Sequence, residues 1–166
     1  MSENSGPPPL PAFDPTNMET YTAGCHCGTV SYTLTLSPRL PEQKVVSCNC
    51  SICQRNGYYL VYPSREQMKV DTGEDALKSY TFGPKKSLHM FCGQCGSSVF
   101  FDPRMKEFGE GGGLDLLGIN VSLSIVPFSC NILANCDQVR MFHDVNVEEL
   151  NLIHVDNRSK SDGRSS

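Results

Sequence analysis

GCHCGTVSYTLTL, residues 24–36, holds two patterns end to end. From Thr29 to Leu36, β-branched or apolar residues alternate with small polar ones, the period-two signature of a half-buried strand. Just before it stand Cys25 and Cys27, bracketed by Gly24 and Gly28. Neighbouring side chains of an extended strand point to opposite faces, so cysteines spaced this way share one metal only where the chain bends sharply. Glycine accepts the backbone angles of such a bend. A metal knuckle that feeds an alternating strand predicts an all-β fold.

The rest of the chain repeats that theme. KVVSC (44–48), YYLVYP (58–63), MKVDT (68–72), LKSYTF (77–82), SLHMFC (87–92) and SSVFFD (97–102) read as short strands separated by Gly, Pro or charged turns. Helical signal is confined to a turn after Cys50, one at SREQ (64–67) and a short VEEL segment (147–150). The 166 residues suit one domain. Residues 1–18, rich in Pro, Ser and Asn, read as a disordered N-terminus, 19–155 as the folded domain, and 156–166 as a flexible polar tail.

A net charge of −4 speaks against a nucleic-acid surface, which needs concentrated Lys and Arg. No apolar run approaches the roughly 20 residues of a membrane span. The first residues lack the basic and apolar regions of a secretory signal, so a cytoplasmic protein is expected. Oligomeric state is not legible.

Nine cysteines cannot all pair within one chain, and a reducing compartment disfavours disulfides. Seven fall into tight clusters: Cys25 and Cys27; Cys48, Cys50 and Cys53; Cys92 and Cys95. Such spacings suit metal knuckles, with zinc favoured and an iron–sulfur cluster as the rival. Cys92-Gly-Gln-Cys95 is a standard knuckle, and two pairs together supply four thiolates, a closed structural site. The trio Cys48, Cys50 and Cys53 then offers three protein ligands and an open fourth position, the arrangement of catalytic zinc. Three thiolates overcompensate Zn²⁺, so such a centre is poorly suited to making hydroxide from water. It is better suited to holding an incoming thiol as a nucleophilic thiolate. Cys130 or Cys136 could instead close the trio site. His89 on its apolar strand reads as packed or surface, His26 as solvent-facing, and Arg55, Lys85 and Lys86 as weak candidates for greeting an anionic substrate.

GCHCGTVSY, CNCSIC and FCGQCGSSVFF, in that order, resemble the glutathione-dependent formaldehyde-activating enzyme family, which includes the centromere protein V proteins. The resemblance covers roughly residues 20–155. It implies an Mss4-like fold of short antiparallel sheets stapled by zinc, with two zinc ions per chain. One would be structural on Cys25, Cys27, Cys92 and Cys95, the other catalytic on Cys48, Cys50 and Cys53. It further implies glutathione as co-substrate and a carbon–sulfur lyase activity of the S-(hydroxymethyl)glutathione synthase type, acting on thiol adducts of formaldehyde or a larger carbonyl. The partners expected are thus a small-molecule thiol and carbonyl, with no nucleic acid and no membrane. Asn49 stands where bacterial members often carry histidine. The alternative is a non-catalytic, zinc-stabilised protein-binding module of the centromere protein V type.

Against that family pattern, GINV (118–121) and VRMFHDVN (139–146) look like halves of one continuous segment. The piece between, VSLSIVPFSCNILANCDQ (121–138), reads as an insertion or a retained intron. Val-Ser can be encoded GTAAGT, a splice donor; Ala-Asn as GCTAAC, a branch point; Gln as CAG, an acceptor. Such a segment is expected to stay out of the sheets and to leave Cys130 and Cys136 as bystanders.

Overall fold

The computed structural model describes residues 12–122, 125–127 and 150–158. Among these residues the regular structure is mostly strands with one short α-helix, an all-β fold. The strands, in chain order, are β1 (Glu19–Gly24), β2 (Ser31–Leu36), β3 (Lys44–Cys48), β4 (Tyr59–Val61), β5 (Met68–Thr72), β6 (Leu77–Tyr80), β7 (Leu88–Cys92), β8 (Ser98–Asp102), β9 (Gly118–Asn120), β10 (Ile125–Pro127) and β11 (Asn151–Val155). The helix, α1, spans Ser51–Asn56. Two sheets form, ordered β10-β1-β2-β5 and β11-β3-β4-β9-β8-β7-β6.

The sheets share one core because strand alternation sends apolar side chains inward from both. Tyr21 and Ala23 of β1 and Tyr32, Leu34 and Leu36 of β2 meet Val45 of β3, Val61 of β4, Val99 and Phe100 of β8 and Ile119 of β9. Each fully buried Leu, Val or Ile here stabilises the fold by about 1.5–3 kcal/mol. The polar Asn120 is accommodated by bonding: its amide donates to the Ser98 carbonyl at 3.1 Å, and its oxygen accepts from the Ser122 hydroxyl at 2.6 Å.

Four details depart from the sequence expectations. β11 joins β3 in parallel, Asn151 opposite Lys44 and Val155 opposite Cys48, whereas only antiparallel pairing was expected. Ile125–Pro127, inside the segment expected to stay out of the sheets, forms β10 on the outer edge of β1, pairing Ala23 with Ile125 and Tyr21 with Pro127. The free edge of β1 offers unpaired backbone groups, and an extended Ile-Val-Pro run can satisfy them even where proline confines it to an edge. Residues 12–18, expected to be loose, include a turn in which the Asp14 N–H donates to the Ser37 hydroxyl at 2.8 Å. Asp156 and Asn157, assigned to the flexible tail, bond back to the domain, as described below. The remainder of 1–18 and of 156–166, most of 121–138, and Val147–Glu149 of the VEEL segment lie outside the described residues.

Candidate metal centres

Two hairpin loops and one strand-to-helix corner carry the seven clustered cysteines. Cys25 and Cys27 sit in the loop between β1 and β2; Cys92 and Cys95 sit at the end of β7 and in the loop to β8. Both loops turn the same way. Gly28 and Gly96 each adopt φ of 75°, a left-handed conformation favouring glycine, and their N–H groups donate to the Cys25 and Cys92 carbonyls at 3.1 and 2.8 Å. The loops therefore bend back on themselves, and the two pairs converge although they belong to different sheets.

Cys25, Cys27, Cys92 and Cys95 bring their sulfurs within 4.8 Å of one another. Cys27 Sγ lies 3.5 Å from Cys25 Sγ and 3.8 Å from Cys92 Sγ. Zn–S bonds of about 2.3 Å in a tetrahedron place sulfurs about 3.8 Å apart, so these spacings fit one ion. Cys25 and Cys92 are fully buried. Burial pushes the Cys25 thiol up to about 12, despite the Val30 N–H that donates to its sulfur at 3.2 Å. Burial also acts to raise Cys95, but the hydroxyl and backbone of Ser97 and then Cys27 outweigh it and bring Cys95 down to about 5. Four sulfurs crowded this closely form a donor set that a divalent cation satisfies all at once.

Cys48, Cys50 and Cys53 form the second group, again with all sulfurs within 4.8 Å of one another. Cys48 ends β3, Cys50 is the residue before α1, and Cys53 lies one turn into it. The helix stops at Gly57, and the Tyr58 N–H returns to the Cys53 carbonyl at 3.0 Å. Burial and then its fellow thiols Cys50 and Cys48 push Cys53 well above the ordinary thiol range. Among the described residues no histidine, carboxylate or further cysteine joins this trio as a fourth ligand. Cys130 and Cys136 lie outside the described residues. The donor set fits a thiophilic metal with one position left over.

The trio lies on the face of the larger sheet that points away from the main core. Val46 and Cys48 of β3, Leu60 of β4 with Tyr58 and Tyr62 on either side, and Phe101 of β8 share this face with Cys53. Beside it a cleft of about 400 Å³ is lined by Cys48, Asn49, Cys53, Gln54, His154 and Asp156, among others. Burial and the charges of Cys53, Cys48 and Cys50 push Tyr62 up, so its phenol keeps its proton.

His89 is only 8% exposed and lies among rings, with centroids 5.4 Å from Phe82, 5.6 Å from Phe101 and 6.2 Å from Tyr58. Its Nδ1 is buried without a hydrogen-bond partner, and burial holds its pKa below the usual histidine value, keeping the ring neutral. His26 is exposed; its backbone N–H donates to the Ser97 hydroxyl at 3.2 Å. Arg55 donates to the Ser51 carbonyl and Lys86 pairs with Glu110, so these two basic groups engage their own surroundings, while at Lys85 it is the backbone carbonyl that accepts from Arg104. Sequence reasoning missed the wall that β11 and Asp156 add to the trio cleft. The polar letters after Val155 carried no signal that would separate a clasp from a tail.

A family model described as glutathione-dependent formaldehyde-activating enzyme matches residues 20–112, just over half of the chain and all seven clustered cysteines. A crystal structure of a Rhodobacter sphaeroides protein, 22% identical, superimposes with a TM-score of 0.53 over 80% of this chain and 97% of that one. That likeness is one of fold. Among the described residues no helix is long and apolar enough to cross a membrane.

Proposed function

Because this chain belongs to the glutathione-dependent formaldehyde-activating enzyme family, we propose that it is a zinc-dependent carbon–sulfur lyase-type enzyme working on adducts of glutathione or a similar thiol with formaldehyde or a larger carbonyl. The observation that carries this is the division of seven sulfurs into four and three, with the group of three beside a cleft. Cys25, Cys27, Cys92 and Cys95 would hold a structural zinc, and Cys48, Cys50 and Cys53 a second zinc with an exchangeable position. When bound at the trio, that second ion supplies a site where a thiol is held as its nucleophilic thiolate near neutral pH.

The chemistry needs no electron acceptor. The thiol sulfur forms a bond to the carbonyl carbon, the C=O π pair moves onto oxygen, and the thiol's proton ends on that oxygen. The reverse reaction returns both partners. The chain's own contribution is placement and exclusion of water. Leu60, Tyr58 and Phe101 give the trio an apolar floor, which strengthens polar interactions made above it. Tyr62, which keeps its proton, can donate to an oxygen that gains negative charge at this face. At the cleft, Gln54, His154 and Asp156 offer hydrogen bonds suited to the amide and charged ends of a small peptide thiol.

The test is a glutathione titration of the cobalt-substituted protein. Binding of the thiol sulfur should change the thiolate-to-metal charge-transfer absorption, and Cys50→Ser should abolish the change. An unresponsive spectrum in a protein carrying both metals would overturn the proposal and favour a scaffold role.

A further inference from the structure

The parallel pairing of β11 with β3 sets Val155 opposite Cys48, and the chain then bends over Asn49 rather than leaving the surface. Asn49 grips it at three points. Its backbone N–H donates to the Val155 carbonyl at 3.2 Å. Its side-chain amide donates to Asp156 Oδ1 at 2.9 Å, and its side-chain oxygen accepts the Asn157 backbone N–H at 2.9 Å. Held this way, Asn157 places Nδ2 3.6 Å from Cys48 Sγ. The residues joined by this clasp are more than 100 positions apart in sequence.

The chemistry of that contact is directional. A thiolate sulfur is electron-rich and accepts hydrogen bonds; the NH₂ end of an asparagine can face it favourably, whereas the carbonyl end would repel it. A donor on a ligand sulfur draws charge from it and fixes its orientation, the usual role of groups one bond beyond a metal's ligands. At a three-thiolate centre the effect matters more than at a neutral one, because the ligands already overcompensate a divalent ion and a further thiolate must approach a net negative centre.

We infer that Asn157 is a positioning residue for the trio centre. By hydrogen bonding to Cys48 it lowers the negative charge on that sulfur and makes the fourth position receptive to an anionic thiol. Asn49 is the clasp that holds it there. This rests on the trio being the open metal site proposed above. It makes the segment after β11 part of that site and gives Asn49 a task its position between two ligands does not reveal.

Spectroscopy of the cobalt-substituted protein tests it directly. Asn157→Leu removes the donor at similar volume, leaving Cys48 more electron-rich. Its thiolate-to-cobalt charge-transfer band should move to longer wavelength, and Asn157→Asp should move it further. The four-cysteine centre contributes equally to both proteins and cancels in the difference spectrum. Chelator-driven loss of the trio metal should accelerate about tenfold or more, the scale seen when such supporting groups are removed. Asn157→Gln, which keeps the donor, should recover part of the shift. Asn49→Ala, which removes the two side-chain bonds of the clasp while leaving the sulfurs and the Asn157 side chain in place, should shift the band the same way and provides the reading should Asn157→Leu not fold. Spectra and metal-loss rates that superimpose on the wild type would overturn this role while leaving the open site standing. A wild-type spectrum identical to that of Cys50→Ser would overturn both, because the trio would then hold no metal.

Discussion

Replacing one cysteine from each group should separate closed from open centres by their effect on folding. In the group of four, Cys27 and Cys92 are 65 positions apart and belong to different sheets, so a metal there closes a long loop. In the trio, Cys48 and Cys53 are 5 positions apart. Treating each centre as a cross-link, the entropy removed from the unfolded chain corresponds to about 4 kcal/mol for the long loop and about 2 kcal/mol for the short one. Cys92 is also fully buried, so a serine there leaves a hydroxyl without solvent at a further cost of about 1–3 kcal/mol. Cys50 is half-buried and stands at the N-cap of α1, where serine is a favoured residue. Against a typical total of about 5–15 kcal/mol, Cys92→Ser should unfold much of the population whereas Cys50→Ser should remain folded. Far-UV circular dichroism with urea titration, read beside metal content per chain, measures both. Cys92→Ser should lose structure and metal together; Cys50→Ser should keep its structure and lose one equivalent. Equal destabilisation by the two, or a milder loss for Cys92→Ser, would refute the division into structural and open centres.

Tyr32 is fully buried and its hydroxyl has no partner, so Tyr32→Phe should raise stability by about 1 kcal/mol in urea unfolding; a loss of that size would reveal a partner for the hydroxyl. His89 has its folded pKa depressed by burial, so the unfolded chain binds the proton more readily. Stability from this group is therefore complete above its ordinary value of 6.5 and is lost as pH falls through and below it. Urea midpoints at pH 7.5 and 6.0 should fall more for the wild type than for His89→Phe, and parallel changes would refute the assignment. For residues 121–138, the major spliced transcript should join codon 120 to codon 139. In the shortened chain Val139 would follow Asn120 and take the core place of Val121, which is fully buried with its N–H on the Tyr59 carbonyl at 2.8 Å. A major transcript retaining all eighteen codons would refute it.

Legibility followed the distance over which a pattern is written. β2, β3, β5, β7 and β8 were visible because alternation is local, and SREQ was visible because Ser64 and Gln67 cap each other within four residues. The grouping of the cysteines was approachable by counting ligands, since thiolate number and spacing constrain what one ion can use. β11 was not. NLIHV alternates poorly, and its pairing to β3 is parallel, so no hairpin turn announces it. The aromatic surroundings of His89 were hidden for a similar reason. Tyr58, Phe82 and Phe101 arrive from separate stretches, and the register of β7 between β6 and β8, which sets His89 opposite Tyr80 and Phe101, is not written in any one of them.

The two cysteine groups also differ in when they can exist during synthesis. The three sulfurs of the trio are complete once six consecutive residues, Cys48 to Cys53, have been made. The group of four must wait for Cys95, and the clasp on Cys48 waits for Asn157. A growing chain thus presents Cys25, Cys27 and the trio to metal before Cys92 exists, and five thiols compete for an ion that in the finished fold belongs to two separate places. Correct sorting then depends on the β1–β2 hairpin keeping its pair apart from the β3 corner until the second knuckle arrives. With metal at both centres as proposed, the order of synthesis makes metal supply during translation, and not only the stability of the finished protein, bear on the yield of this fold.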